Sequence, residues 1–593
     1  MTAYLLLVTL GPVQDFIAQA RRTRDLWYGS HLLSELGRTA ARALAAGGAE
    51  LIFPSLKAGD AQLEPCRAPL RPDGAPSVNV ANKLLAEVPP GTDPGQLART
   101  VRESVMWHWR DLAADVKANC TGLIASDIDS VWTEQVDTVL EFAASWVPLG
   151  DYAQTRRQLE QAIAGRKMLR DFAPWVHGRG SVPKSSLDGA RQTVLRDDDA
   201  RDRGLVRKYR INRDEQLDAI GLVKRAGGDP DQFVPVVNVA LASWIDVAAR
   251  AAPSELDSLR AACHKAGIAR VARMDLPCAK LFPFDASVLL RSRWRSVFEE
   301  QGLDCDAESW GRQHVQPLLQ RMSEPYPYVA CVVADGDHMG RAIDRLGSPS
   351  EHRAFSNALS RFAGDARTIV EQQHRGALVY VGGDDVLAFV PVPEALSCAD
   401  QLRIRFADSI ASAASSLPAG LRPTLSVGLG VGHIMETMGD ILALGREAER
   451  EAKRDRNALA VLVDKRSGGK RSWRARWSED PVRSLRDSAT LLAERLPSRK
   501  VYEVANVLSR LPEAADGETA GWARLLALEV GRSLSRVESG GLSPETAGLA
   551  LDPGRDYAAL RASVSSWVAR LLIARVFAQA TPRARRRQEG TAA

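Results

Sequence analysis

Two short acidic clusters, each closing an apolar run, are the parts of this 593-residue chain best suited to chemistry. The first is Asp335-Gly336-Asp337-His338-Met339-Gly340, at the end of the strand-like run Tyr328 to Ala334. The second is Gly382-Gly383-Asp384-Asp385, between Ala377 to Val381 and Val386 to Val390. These flanking runs are β-branched and aromatic, and Gly-Gly is a two-residue hairpin loop signal. Adjacent carboxylates at a hairpin tip repel each other unless a divalent cation or a solvated turn relieves them. Asp335, Asp384 and Asp385 together would suit Mg²⁺ or Mn²⁺, which take a few carboxylates and leave positions for substrate phosphates. Two such ions would activate an attacking hydroxyl and neutralise a leaving pyrophosphate, the chemistry of nucleotidyl transfer. An isolated Gly-Gly-Asp-Asp is also a common solvated turn; the acidic strand end roughly 50 residues upstream favours the metal.

Positioning those carboxylates requires a particular order of elements. Ser348-Pro349-Ser350-Glu351 carries the signals of a helix start, with Ser348 as the N-cap. After the hairpin come a helical stretch from Glu394 to Ser416, a strand from Thr424 to Gly430 and a helix from Met438 to Asp455. The last has Ile441, Leu444, Ala448 and Ala452 on one face and is followed by the apolar run Ala458 to Val463. The order is β-α-β-β-α-β with an α-β extension, that of the ferredoxin-like palm of polymerases and nucleotide cyclases. In that topology the end of the first strand lies beside the tip of the central hairpin, so Asp335 should face Asp384 and Asp385. Gly382 and Gly383, lacking Cβ atoms, would let a triphosphate or base approach the backbone. Lys453 reads either as a phosphate contact or as a solvated helix-end cation. Asp337 is either a supporting carboxylate or a turn residue, and His338 and Met339 read as packing or substrate-shaping groups.

A second β-α-β-β-α-β order precedes this one: Tyr4 to Leu10, a long helical stretch through Leu44, strands near Leu51 to Pro54 and Lys83 to Val88, a helix near Gln96 to Val116, and the strand-like run Val139 to Leu149. It has no acidic hairpin and reads as a degenerate palm that pairs with the other. The expected fold class is α+β, with two ferredoxin-like palm (nucleotide cyclase/GGDEF-like) domains and α-helical middle and C-terminal domains. The expected boundaries are 1–215 for the degenerate palm with helical insertions, 216–320 for a mainly helical linker, 321–480 for the catalytic palm and 481–593 for a helical domain with a basic tail.

Composition fits a multidomain globular chain: 45% hydrophobic and 25% charged residues predict a buried core, and the length corresponds to roughly four domains. No apolar run approaches the roughly 18 residues of a membrane span, and the first residues lack a signal-peptide pattern. The seven cysteines are an odd number without C-x-x-C pairs, so reduced thiols and a cytoplasmic location are expected. A net charge of +5 says little about nucleic acid at this size. Arg21, Arg22 and Arg24 form one basic cluster near the start of the first long helix and read either as a nucleic-acid contact or as a solvated or salt-bridged helix face. Arg466, Lys470, Arg471, Arg474 and Arg476, interleaved with Trp473 and Trp477, either track a phosphate backbone or dock on acidic neighbours. The tail Arg583 to Arg587 would make only non-specific, salt-sensitive RNA contacts.

Further motifs join these two clusters. They are Gly11-Pro12-Val13-Gln14-Asp15-Phe16-Ile17, Ala20-Arg21-Arg22-Thr23-Arg24-Asp25-Leu26-Trp27-Tyr28-Gly29-Ser30, Gly165 to Phe172, Lys184 to Ala190, Glu215 to Leu222, and Arg466-Ser467-Gly468. Together with Asp335 to Gly340, they resemble the large polymerase-cyclase subunit of type III-B, Cmr-type CRISPR effector complexes, from residue 1 to about 480. The resemblance implies synthesis of cyclic oligoadenylates from ATP, activated by target RNA, with Asp335, Asp384 and Asp385 as catalytic ligands of two Mg²⁺ or Mn²⁺ ions. It implies nucleotide contacts at Gly336, Asp337, Gly382, Gly383, Ser426 and Lys453. The partners it implies are the other subunits of the complex, with guide RNA and target RNA engaged mostly through them, and no membrane. Many such subunits begin with a histidine-aspartate nuclease domain; this sequence starts at the first palm and has no His-Asp dipeptide among its nine histidines, so no DNase activity is expected. Relatives can carry zinc between the palms, where Cys263, His264, Cys278 and Cys305 fall, but their spacing suits a closed site poorly and zinc is disfavoured. Two other classes stay open: a non-catalytic scaffold of the RNA-guided complex, and a stand-alone cyclic dinucleotide synthase using GTP.

Overall fold

The computed structural model describes residues 2–57, 59–63, 80–169, 182–228, 234–271, 273, 275–415, 417–466, 468–513, 519–537, 541–552 and 556–584. It is an α+β fold built on two sheets.

The first sheet contains β1 (Tyr4–Gly11), β2 (Glu50–Phe53), β3 (Lys83–Val88) and β4 (Glu141–Pro148), all antiparallel in the order β2-β3-β1-β4. This is the ferredoxin-like arrangement. In β1 the alternation of strand side chains divides the apolar residues between two faces. Leu6, Val8 and Leu10 pack under the helices Thr23–Ala46 and Pro94–Asn119, while Leu5 and Leu7 pack with Leu159 and Ile163 of helix Tyr152–Met168. The expected long first helix is broken: Gln14–Ala18 is a short helix of its own, and the main one starts at Thr23. The break falls where the Arg21 and Arg22 amides turn onto the Asp25 carboxylate, at 3.0 and 3.1 Å.

The second sheet contains β5 (Tyr328–Asp337), β6 (Ala377–Val381), β7 (Val386–Pro391), β8 (Thr424–His433), β9 (Ala458–Asp464) and β10 (Lys470–Arg476), in the order β10-β9-β8-β5-β7-β6. Its first four strands repeat the ferredoxin-like order. β9 joins parallel to β8 through helix Met438–Asp455, a connection that must cross over the sheet. Helix Pro349–Arg367 begins as the sequence predicts, with Ser348 Oγ accepting from the Glu351 amide at 3.2 Å. The Glu351 carboxylate closes the cap one residue earlier than a standard box, on the Gly347 amide at 2.7 Å. Its Phe362 packs edge-to-face with Phe406 of helix Val392–Ile410, ring centroids 5.1 Å apart.

The two palms are joined by core and by hydrogen bonds. Val329, Cys331 and Phe389 of the second sheet share one apolar cluster with Leu6 and Val8 of the first. Across the seam the Ser55 amide donates to Ser356 Oγ at 2.9 Å, Arg353 donates to the Leu51 carbonyl at 3.1 Å, and Tyr152 Oη lies 2.7 Å from His352 Nδ1. The intervening region is mainly helical. Helices Pro481–Glu494, Ser498–Arg510, Thr519–Ser535 and Tyr557–Ala580 form the C-terminal part, and the last also packs Ile573, Val576 and Phe577 into the second palm.

The basic stretch after the second palm is an edge strand, β10. Lys470 pairs with Glu447 at 2.6 Å, and Arg474 with Glu451 and Asp455 at 2.8 and 2.7 Å. Trp473 and Trp477 are buried in the palm core, so the interleaved aromatics fill volume, while Arg466, Lys470 and Arg474 dock on acidic neighbours. Cys263 and Cys278 are buried and Cys305 is exposed; among the described residues these and His264 do not gather into a metal-ligating group. Cys66 and parts of three motifs, 170–172, Ser467 and 585–587, lie outside the described residues. No helix among the described residues is long and apolar enough to cross a membrane.

Candidate active site

Strand register brings the two acidic clusters together. β5 lies between β7 and β8, with Ala334 opposite Val386 and Asp335 opposite Ser426. Asp335 therefore sits where pairing with β7 stops and the hairpin tip begins. The tip is shifted one residue along from a Gly382-Gly383 loop: the Gly382 amide donates to the Asp385 carbonyl at 2.9 Å, leaving Gly383 and Asp384 at the apex. Gly383 has φ +96°, a conformation that disfavours any side chain. Gly382 lies so close to the Tyr380 ring that a Cβ would collide with it. A Cβ on Gly336 would come 2.9 Å from the Asp384 Cβ, so its absence lets the hairpin rest against the end of β5.

Asp335, Asp384 and Asp385 are half-buried, and each offers a carboxylate oxygen within 4.8 Å of the others. Their mutual proximity costs electrostatic energy. Asp384 is pushed up to about 6, by burial first and then by the charge of Asp335. Asp385 is pushed up to about 9, by burial, by its hydrogen bond with Asp335 and by the charges of Asp384 and Asp335. A fourth carboxyl, Glu449, is raised by burial and then by Asp335, and the Tyr380 hydroxyl is raised by burial and then by Asp385 and Asp384. Such a set favours protons or cations, and hard oxygen donors with excess negative charge fit a divalent ion such as Mg²⁺ or Mn²⁺.

Lys453 arrives from helix Met438–Asp455, which crosses β8 at very close range. A Cβ on Gly430 would collide with the backbone of Gly445, and one on Gly428 with that of Glu449. The ammonium forms ion pairs with Asp335 and with Asp337, the latter at 3.2 Å, and donates to the Gly336 carbonyl at 2.8 Å. A lysine has three N–H donors, and these three acceptors engage them all. Burial opposes its charge, but the hydrogen bond and charge of Asp335 more than offset this and hold it protonated.

Asp337 points into the protein. The residue is 1% exposed, and its carboxylate accepts from Thr424 Oγ1 at 2.8 Å, Ser426 Oγ at 2.9 Å and the Asn457 amide at 2.9 Å, besides meeting Lys453. Ser426 is fully buried against it. The sequence reading missed Thr424, Asn457, Tyr380 and Glu449. Thr424 was within reach, since a two-residue period places it on the same strand face as Ser426.

Residues 328–460 match the family described as Cas10/Cmr2, second palm domain, and residues 5–114 match the CRISPR-associated protein Cmr2, N-terminal. The chain is 24% identical over 557 aligned residues to the CRISPR system Cmr subunit Cmr2 of Pyrococcus furiosus, covering 78% of this chain and 62% of that protein's length. Two cryo-electron microscopy structures of type III-B Cmr-beta, one in the apo state and one bound to cognate target RNA, contain chains of similar fold, each with a TM-score of 0.62. Identities are 13% and 14%, and the superpositions cover 98% of this chain and 82% and 83% of theirs. Asp335, the hairpin and Lys453 all lie within the segment that matches the Cas10/Cmr2 second palm domain, the first three strands lie, but for Tyr4, within the segment that matches the Cmr2 N-terminal domain, and across both segments the chain is similar to Cmr2.

Proposed function

We propose that the chain is the large subunit of a type III-B effector complex, acting in the cytoplasm with other subunits, guide RNA and target RNA, and that its second palm joins ATP into cyclic oligoadenylates. The observation that carries the catalytic part is the convergence of Asp335, Asp384 and Asp385 within 4.8 Å, with Lys453 engaged among them. Three carboxylates against one ammonium leave a net negative cleft. The choice of ATP, the cyclic product and activation by target RNA rest on the family resemblance.

The reaction is nucleotidyl transfer. The 3′-hydroxyl oxygen of one nucleotide attacks the α-phosphorus of the next, a P–O bond forms, the bond to the β-phosphate oxygen breaks, pyrophosphate leaves and the hydroxyl proton is lost to water. Divalent ions held by Asp335, Asp384 and Asp385 would supply Lewis-acid activation of the hydroxyl and neutralisation of the leaving group. Lys453 holds Asp335 in place and offsets part of the cluster's repulsion. Asp337 and Ser426 are positioning residues in this reading, in place of the nucleotide contacts expected from sequence. Gly336, Gly382 and Gly383 set how closely the hairpin and a nucleotide approach. Cleavage of single-stranded DNA is not part of this reading, since the chain has no His-Asp dipeptide.

The test is mass spectrometry of products from the assembled complex given target RNA, ATP and Mg²⁺ or Mn²⁺, beside an Asp384→Asn, Asp385→Asn variant. Cyclic oligoadenylates from the parent alone are expected. A target-binding complex that makes no nucleotide product would reduce the chain to a scaffold, and cyclic dinucleotides from GTP would place it in a different enzyme class.

A further inference from the structure

The end of the second sheet remote from the carboxylates carries cations without counter-ions. Tyr328 opens β5 and pairs with His433, the last residue of β8, whereas Asp335 lies near the other end of β5. At about 3.3 Å per residue the two ends are roughly 23 Å apart. Alternation along β10 turns Lys470 and Arg474 to the face that meets Glu447, Glu451 and Asp455, and Arg471 to the opposite face with Trp473. On that face burial first, and then the charges of Arg575 and Arg471, hold the Lys465 ammonium below its usual range, so the three cations lie together. None of the three has an ion-pair partner among the described residues. Of the carboxylates at this end, Glu436 meets Arg466 at 3.4 Å and the charge of Asp464 acts on the Tyr328 hydroxyl. Clustered cations repel unless an anion lies among them.

Aromatic rings border these cations. Tyr326 and Tyr328 stack with ring centroids 4.7 Å apart, and His433 meets Tyr328 edge-on at 5.0 Å. Arg575 donates to the Tyr502 hydroxyl at 3.1 Å and lies over that ring, 5.8 Å from its centroid, yet Tyr502 is 40% exposed. Burial and Tyr328 raise the Tyr326 hydroxyl and the Arg575 charge opposes them, so the guanidinium stands between the two aromatic groups. Met322 pairs with Ala584, and the Ser323 amide donates to the Arg583 carbonyl at 2.8 Å. The segment before the basic run Arg585-Arg586-Arg587 therefore lies beside the one that leads into Tyr326. Unpaired cations among partly exposed rings fit single-stranded nucleic acid, whose phosphates take the charge and whose bases stack; an acidic peptide would use the cations alone.

We propose that Lys465, Arg471, Arg575 and Tyr502, beside the Tyr326–Tyr328 stack, bind a short single-stranded RNA segment at the end of the second palm remote from the active site. That the strand is RNA rests on the effector-complex reading; the contact itself requires no nucleotidyl transfer.

Binding of a fluorescent single-stranded RNA of about 12 nucleotides to the full chain in EDTA is followed by anisotropy over a series of salt concentrations. The parent is compared with Lys465→Met, Arg471→Gln, with Tyr502→Leu, and with the charge control Arg42→Gln, Arg361→Gln, which changes exposed arginines on helices Thr23–Ala46 and Pro349–Arg367. Melting curves confirm folding, and the Lys465→Met, Arg471→Gln chain should melt no lower than the parent because repulsion is relieved. That variant is expected to lose at least about tenfold in affinity at low salt and to flatten the slope of log affinity against log salt by about 1.4. Tyr502→Leu should lose about tenfold at every salt concentration with the slope kept. A parent that binds no RNA, a double variant that binds like the parent, or an equal loss in the control overturns the proposal. A double variant that binds RNA normally but no longer assembles with the other subunits marks a protein interface and overturns it too. In the assembled complex, ultraviolet crosslinking with label on the guide or the target in turn identifies the strand; no crosslink from either to the segments carrying these residues overturns the proposal. If the crosslink and the variant losses appear while the complex makes no cyclic product, the RNA site stands and the cyclase reading fails.

Discussion

Lys453 Nζ lies 3.2 Å from Asp337 Oδ1, and that carboxylate has no exposure to water, so the lysine serves as the counter-ion of a buried acid as well as of Asp335. Removing the ammonium has two opposed consequences. Lys453→Met leaves Asp337 buried with its cation gone, which should cost about 3–5 kcal/mol of stability. It also deepens the negative potential at Asp335, so Mn²⁺ affinity should rise by roughly tenfold even as product formation falls. Titration of Mn²⁺ by electron paramagnetic resonance checks this. Unchanged Mn²⁺ affinity with weakened ATP binding would show that Lys453 contacts phosphate instead.

The hairpin acids predict a pH dependence of stability in the absence of divalent ions. Asp384 and Asp385 have folded-state values raised to about 6 and about 9, above an unfolded value near 4. The folded state therefore binds more protons, and stability falls as pH rises from about 4 through about 9. Melting temperature in EDTA should drop across this range, recover on adding Mg²⁺ or Mn²⁺ at pH 8, and vary less in Asp384→Asn, Asp385→Asn. At pH 8 that variant should melt higher than the parent, by roughly 2–4 °C for each kcal/mol of relieved repulsion, discounted because both groups are only half-buried. Equal pH slopes for parent and variant would refute the account.

Much of the second palm is legible in the sequence because apolar β-branched runs end abruptly in glycine and aspartate. Asp335, Asp384 and Asp385 converge as the β-α-β-β-α-β order requires, and helix Met438–Asp455 has the predicted bounds. The direction in which each aspartate of Asp335-Gly336-Asp337 points is not legible there. It depends on pairing with β8, which extends β5 through Asp337 and sets Thr424 and Ser426 against it. Strand β10 was hidden by its charges, although Trp473, Ala475 and Trp477 alternate with arginine and serine at a period of two. The basic N-terminal motif also misleads when read from the surface: Arg24 is buried, and Asp25 beside it anchors an interior ion network.

Ser426 and Asp337 provide a test of positioning against contact. Ser426→Ala removes one of the donors to Asp337 and should cost about 1 kcal/mol, with KM for ATP unchanged. Asp337→Asn keeps the shape but removes the charge facing Lys453, and should lower kcat more than it raises KM. A rise in KM with kcat unchanged in Ser426→Ala would instead mean that the hydroxyl reaches the nucleotide.

The N-terminal motifs owe their residue types to a buried ion network that ties residues 16–25 to residues 215–225. Arg225 donates to both Asp25 oxygens at 2.5 and 2.8 Å and to Glu215 Oε1 at 2.9 Å, all three side chains being fully buried. Lys224 beside it donates to the Phe16 carbonyl at 2.5 Å and to the Gln19 carbonyl, holding the segment that precedes the first long helix. Removing one partner of a buried network strands the charges left behind, so Arg225→Met should destabilise the first palm by about 3–5 kcal/mol and raise hydrogen exchange across residues 16–25. Adding Asp25→Asn and Glu215→Gln to Arg225→Met removes the stranded charges and should recover part of the loss. Urea unfolding followed by exchange mass spectrometry reads both effects. If Arg225→Met unfolds at the same urea concentration as the parent, the network contributes no stability to the palm and the motif must be explained by a surface it presents to another subunit.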